Sequence, residues 1–177
     1  DDATLWAIDC TMGVKGYPQS ATGQASILTG VNIPLLLGYH FGPKPNPEIK
    51  TYLNEETIFH VLVGKGFSAT LLNGYPQSYF TLIKTGRRLP GAIAMAVQLA
   101  GLPLKNTIDM RMGRALSADL TGHGWRERLN ISDIAIYSPL QSGILLARLS
   151  QEYNFAFFEY WLSDYAGHRA DMDQACQ

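Results

Sequence analysis

Cysteine is scarce in this chain: Cys10 and Cys176 are the whole complement in 177 residues. Two thiols so far apart do not make the disulfide framework of a small secreted domain, so a reducing cytoplasm is the default expectation. Basic runs are absent too. Fourteen Lys and Arg stand against fifteen Asp and Glu, a net charge of −1. Nucleic acid and anionic membrane surfaces are therefore not expected as partners. No apolar run approaches the roughly 20 residues needed to span a bilayer, and no signal peptide is visible. What remains is 46% hydrophobic content in a chain long enough for one sizeable core, the composition of an ordinary globular protein.

Strand and helix signals alternate along the chain. Residues 3–8 read as a strand and 21–29 as a helix. Three prolines forbid regular structure over 42–47, and residues 48–54 and 57–64 follow as short helices. Residues 67–72 are a strand candidate ending at Asn73-Gly74, and 91–100 a helix of small residues. Residues 140–153 carry a 3.6-residue period and run into 155–162, an apolar stretch that reads as a buried strand. Helix followed by strand is the order of a mainly parallel α/β sheet with flanking helices. Residues 87–138 lack this rhythm. The expected division is thus an α/β core over 1–86 and 139–177, with 87–138 as a cap or insertion.

Two local patterns carry chemistry. In Gly16-Tyr17-Pro18-Gln19-Ser20-Ala21-Thr22-Gly23-Gln24, a proline-stiffened turn delivers Ser20 to the first turn of a helix. Free N–H groups and the positive end of the dipole favour an anion there. A serine in that place is either a helix cap or a nucleophile. The second pattern is Asp164-Tyr165-Ala166-Gly167-His168, just past the strand candidate. Ligands of open α/β sheets gather at that edge. Carboxylate oxygen with imidazole nitrogen suits Zn, Mn or Fe, and Gly167 lets the backbone bend so that both side chains converge. The plainer alternative is an aspartate capping the next helix beside an incidental histidine.

With these motifs in this order, the chain resembles the metalloenzyme domain of the alkaline phosphatase superfamily. The branch it is most similar to is that of cofactor-independent phosphoglycerate mutase and its smaller relatives. The family's N-S-E-V-G-H corresponds to Gln19-Ser20-Ala21-Thr22-Gly23-Gln24, which aligns Ser20 with the nucleophile. Its D-M-V-G-H corresponds to Asp164 through His168, two ligands of one metal. The smaller relatives resemble the chain over nearly its whole length, including Leu36-Leu37-Gly38-Tyr39-His40-Phe41-Gly42-Pro43 and Gly113-Arg114-Ala115-Leu116-Ser117-Ala118-Asp119-Leu120.

The resemblance implies an alkaline-phosphatase-like fold and two divalent metal ions, Mn, Zn or Mg. It further implies phosphoryl transfer through a phosphoserine on a small phosphate ester, as a phosphatase or phosphomutase. A sulfatase or phosphodiesterase of the same superfamily, or a binding module that has lost the metal site, are the alternatives. Material between the two motifs supplies arginines to substrate phosphate in larger relatives, which makes Arg111, Arg114 and His123 substrate-binding candidates; a solvated surface is the alternative. His123, between Gly122 and Gly124, is expected on a flexible loop.

Family members also carry an early Asp-Gly pair and, after D-x-x-G-H, a D-H-G pair and a final histidine. Asp9 is followed by Cys10-Thr11 and reads as structural. The expectation is therefore a central portion of a longer protein, incomplete at both termini and catalytically silent alone. It would hold at most Ser20, Asp164 and His168 of the two-metal site. One echo remains: Gly16-Tyr17-Pro18-Gln19-Ser20 recurs as Gly74-Tyr75-Pro76-Gln77-Ser78. The flanks differ, so the match reads as coincidence and Ser78 as a loop residue at a strand's end.

Overall fold

The structure, a computed structural model, describes residues 6–171 together with 173 and 174. In chain order its elements are α1 (Ser20–Thr29), α2 (Ile33–Leu37), α3 (Pro47–Glu55), α4 (Ile58–Gly64), β1 (Ala69–Leu71), β2 (Gly74–Tyr75), α5 (Gln77–Lys84) and α6 (Ala92–Leu99). Then come β3 (Lys105–Asn106), α7 (Thr107–Arg111), α8 (His123–Glu127), α9 (Pro139–Ser150), β4 (Phe155–Phe157) and α10 (Leu162–Arg169). Helices joined to short parallel strands make this a mixed α/β chain. None of the described helices is long and apolar enough to cross a membrane.

The chain divides into two compact units. The first comprises Asp1–Val61 and Leu89–Ala100, the second Leu62–Arg88 and Gly101–Gln177. The expected boundaries at 87 and 138 do not coincide with this division. Residues 89–100 form α6 of the first unit. Residues 101–138 enter the second through β3, which pairs in parallel with β2.

In the first unit, α1 packs on α3 and α6. Ala21, Ala25 and Leu28 recur at helical spacing on one side of α1 and are buried with Ile49 and Leu53 of α3. Every residue of α6 from Ala92 to Val97 is buried, so its small side chains let neighbouring helices approach closely. Residues 6–8, expected at the end of a strand, are irregular, and Trp6 and Ile8 are largely exposed. They pair with no strand among the described residues; residues 3–5 of that expected strand lie outside them.

In the second unit, β1 and β4 run parallel, with Ala69 opposite Phe155 and Leu71 opposite Phe157. The segment after β1 lies between two neighbours. On one side Leu116 N–H donates to Leu72 C=O at 2.9 Å and Gly74 N–H to Leu116 C=O at 2.9 Å. On the other, the Asn73 amide replaces a strand partner: Nδ2 donates to Glu159 C=O and Oδ1 accepts from Glu159 N–H, both at 2.8 Å. The long strand expected over 155–162 is thus only Phe155–Phe157, half-buried rather than buried. Beyond it the chain is held by Asn73 and by Trp161 N–H donating to Ala118 C=O at 2.9 Å. Leu145 and Leu149 of α9 cover Leu72 and Leu116, while Met110, Ala115, Trp125 and Ile134 form a second buried cluster.

Candidate functional site

Ser20 is the first residue of α1. Gln19 precedes it in extended conformation, with φ −125° and ψ 145°, and its side chain caps nothing. A neighbouring loop presses on this helix end: a Cβ at Gly42 would lie 3.0 Å from Gln19 Oε1 and 3.2 Å from the Ser20 nitrogen. One first-turn donor is already used, because Thr22 N–H donates to Phe41 C=O at 3.1 Å. The N–H groups of Ser20 and Ala21 are left for an anion. The Ser20 hydroxyl is half-buried and bonds to no other described residue. Asp9, read as structural, accepts from Thr11 and Gly13 N–H at 2.9 and 3.1 Å in an exposed turn.

Asp164 and His168 belong to the second unit. They lie one turn apart on α10 rather than on a loop past a strand, and Gly167 is helical, so it provides no bend. The i, i+4 spacing brings the side chains together instead. Asp164 Oδ1 and His168 Nε2 are 3.7 Å apart, each side chain about half exposed. A metal at about 2.0–2.2 Å from both atoms is compatible with any separation below about 4.2 Å, so the donor pair fits a divalent ion. Their places near opposite ends of the helix also suit its dipole. Among the described residues no cluster of three or more His, Cys, Asp or Glu occurs.

Arg111 and Arg114 are held by carboxylates. Arg111 forks onto Asp133, with Nε–Oδ2 2.7 Å and Nη2–Oδ1 3.3 Å, which holds the Asp133 carboxyl below its ordinary range. Arg114 Nη2 lies 3.0 Å from Asp109 Oδ1. Neither lines the cavity of about 490 Å³ in this unit. His123 does, and it opens α8 rather than sitting on a flexible loop; the turn that leads into it is braced. Asp119 Oδ1 accepts from Gly122 N–H at 2.8 Å and Oδ2 from Gly124 N–H at 2.6 Å. Gly122 takes φ +90°, and a Cβ there would meet Ala135 C=O at 2.8 Å, so only glycine fits.

The cavity encloses about 490 Å³ within the second unit. Its lining includes residues that come after parallel segments in the chain: Asn73 follows β1, Pro76 follows β2, Ser117 follows Leu116, and Trp161 comes after β4. That is where α/β sheets bind ligands. Ser78 is in its wall, not in a loop, because the repeated pentapeptide opens a helix both times. Pro76 fixes the extended approach at φ −71°, and Tyr79, Leu82 and Ile83 follow at helical spacing. The recurrence was itself the signal that residues 77–84 would be helical.

Two buried tyrosines mark the cavity wall. Burial, helped by the nearby Glu159 charge, keeps Tyr75 well above the usual tyrosine range. Tyr79 is pushed up to about 12 by burial, with Arg88 pulling down and Glu159 raising it. The Tyr79 hydroxyl is buried without a hydrogen-bond partner. Apolar-looking aromatics such as Tyr79 and Trp161 gave no functional signal in sequence; each reads as ordinary core. Comparison with known proteins finds no matching protein family, no matching curated protein and no matching solved structure.

Proposed function

We propose that Ser20 is the nucleophile of a metal-dependent phosphoryl transfer and that Asp164 and His168 are two ligands of one divalent ion. The fold implied is that of the alkaline phosphatase superfamily, and the substrate a small phosphate ester. The observation that carries the reading is the Asp164–His168 pair, a carboxylate oxygen and an imidazole nitrogen 3.7 Å apart and open to solvent. Support comes from Ser20, which stands at a helix start that no side chain of Gln19 caps.

Ser20 Oγ attacks phosphorus, the P–O bond to the leaving group breaks as the phosphoserine forms, and the proton lost from the Ser20 hydroxyl passes through water to the departing alkoxide, which leaves as the alcohol. The Ser20 and Ala21 N–H groups hold an equatorial phosphate oxygen at the positive end of α1. Water then cleaves the phosphoserine in a phosphatase, or a second substrate hydroxyl takes the phosphoryl group in a mutase. Two divalent ions, Mn, Zn or Mg, supply when bound the Lewis acidity that stabilises phosphoryl charge and lowers the pKa of an oxygen nucleophile. The resemblance implies further ligands from an early Asp-Gly pair and from a D-H-G pair and a histidine that follow D-x-x-G-H.

The test uses the chain with whatever sequence flanks it naturally, assayed on aryl and sugar phosphates and on a sulfate ester with Mn, Zn or Mg. Turnover should need the metal, fall at least 1000-fold in Ser20→Ala, and fall at least tenfold in Asp164→Ala and His168→Ala. Retention of more than a tenth of activity in Ser20→Ala would refute the assignment.

A further inference from the structure

We propose that the cavity of the second unit binds a small aromatic oxyanion, an aryl carboxylate or aryl phosphate, with its ring against the tryptophans and its charge at the start of α5. Ser78 and Pro76, at the start of that helix, line the cavity. Pro76 offers no side-chain cap, and the N–H groups of Gln77 and Ser78 have no backbone acceptor among the described residues. Such a helix start favours negative charge.

Three further features select the ligand. The Tyr79 hydroxyl is buried without a partner in a residue only 5% exposed, an orphaned donor that a ligand oxygen would satisfy. Arg88 and Arg128 line the cavity and, unlike Arg111 and Arg114, pair with no carboxylate among the described residues. The Arg88 guanidinium lies 5.2 Å from the Tyr79 ring centroid. Of the acidic groups in the wall, Asp119 is already engaged by two N–H groups and Glu127 is opposed by two guanidiniums and a helix start; Glu159 lies outside the lining, hydrogen-bonded to Tyr75, and its charge reaches Tyr79 against that of Arg88.

The wall also carries five aromatic residues, Tyr75, Tyr79, Trp125, Trp161 and Tyr165, among small and aliphatic ones, which suits a flat ring. A volume of about 490 Å³ has room for such a ligand and for further substituents on its ring. The proposal rests on the second unit alone and does not depend on Ser20.

The test is a titration of the chain in a Trp6→Phe background, where Trp125 and Trp161 are the remaining fluorescent reporters. Trp6 is 79% exposed, so its replacement is benign. The probes are benzoate, phenyl phosphate, cyclohexanecarboxylate, benzyl alcohol and inorganic phosphate. One or both aryl anions should saturate the signal below about 5 mM, and the other three should bind at least tenfold more weakly. Whichever aryl anion binds tighter identifies the carboxylate or phosphate as the recognised group.

Arg88→Gln should weaken aryl-anion binding about tenfold, Arg88→Lys less, and Tyr79→Phe about threefold to tenfold, each with the thermal melt retained. No saturation by 20 mM would overturn the proposal. So would benzyl alcohol matching benzoate, cyclohexanecarboxylate or inorganic phosphate matching the aryl anions, or a folded Arg88→Gln binding like wild type.

Discussion

Replacing Asp119 tests how the His123 segment is held. Its carboxylate accepts from Gly122 N–H at 2.8 Å and Gly124 N–H at 2.6 Å, closing residues 119–124 into a braced turn. Hydrogen bonds to a charged group contribute about 1.5–3 kcal/mol each. Asp119 is half-buried, so water reaches the freed N–H groups in part and the low end applies. Asp119→Ala should therefore cost about 2–3 kcal/mol. Asp119→Asn keeps one acceptor oxygen but turns an NH₂ toward the second N–H, so it should cost about half as much. Urea unfolding followed by fluorescence would read both, and the melting temperature of the alanine variant should fall by about 4–12 °C for a chain of this size. A change below about 0.5 kcal/mol, or asparagine costing more than alanine, would refute the bracing argument.

Tyr79 should govern part of the alkaline limb of stability. Its folded pKa is raised to about 12 from an ordinary 10, so the stabilisation is full below pH 10 and is lost as pH rises toward 12. After discounting for solvent in the cavity, the loss should be about 1–2 kcal/mol, and Tyr79→Phe should flatten the unfolding profile between pH 10 and 12. Asn73→Ala removes both bonds to the Glu159 backbone from a residue only 2% exposed and should cost about 2–4 kcal/mol in chemical denaturation. The exposed Arg111–Asp133 pair should instead give a double-mutant coupling energy below about 1 kcal/mol, shrinking further in salt.

Much of the helical frame is legible in the sequence. The expected helices over 48–54 and 91–100 match α3 and α6 within one residue at each end, although Pro47, read as part of the loop, opens α3; the period over 140–153 marks α9 but overruns its end at Ser150 by three residues. Strands are legible only in part. Residues 155–162 look like one apolar strand, yet the ladder ends at Phe157 because the next partner is the Asn73 side chain, a contact across 86 residues that no local pattern announces. Residues 79–83 carry no glycine and no helix signal, and Ser78 reads as a loop residue, but Pro76 and the buried face of Tyr79 make Gln77–Lys84 helical. Asp164 and His168 are correctly singled out as a converging pair, although the cause is helical spacing rather than the flexibility of Gly167. The cavity was not legible, since its walls come from three separated segments whose ends meet only in the fold.

The most direct test of the central claim is to look for the covalent intermediate. The chain with its natural flanking sequence would be mixed with phenyl phosphate and Mn, quenched in acid within the first turnover, digested, and sequenced by mass spectrometry. The account predicts a phosphate adduct on Ser20, absent from Ser20→Ala and dependent on Asp164 and His168. Turnover with no adduct on Ser20, or an adduct on Ser78 instead, would contradict it.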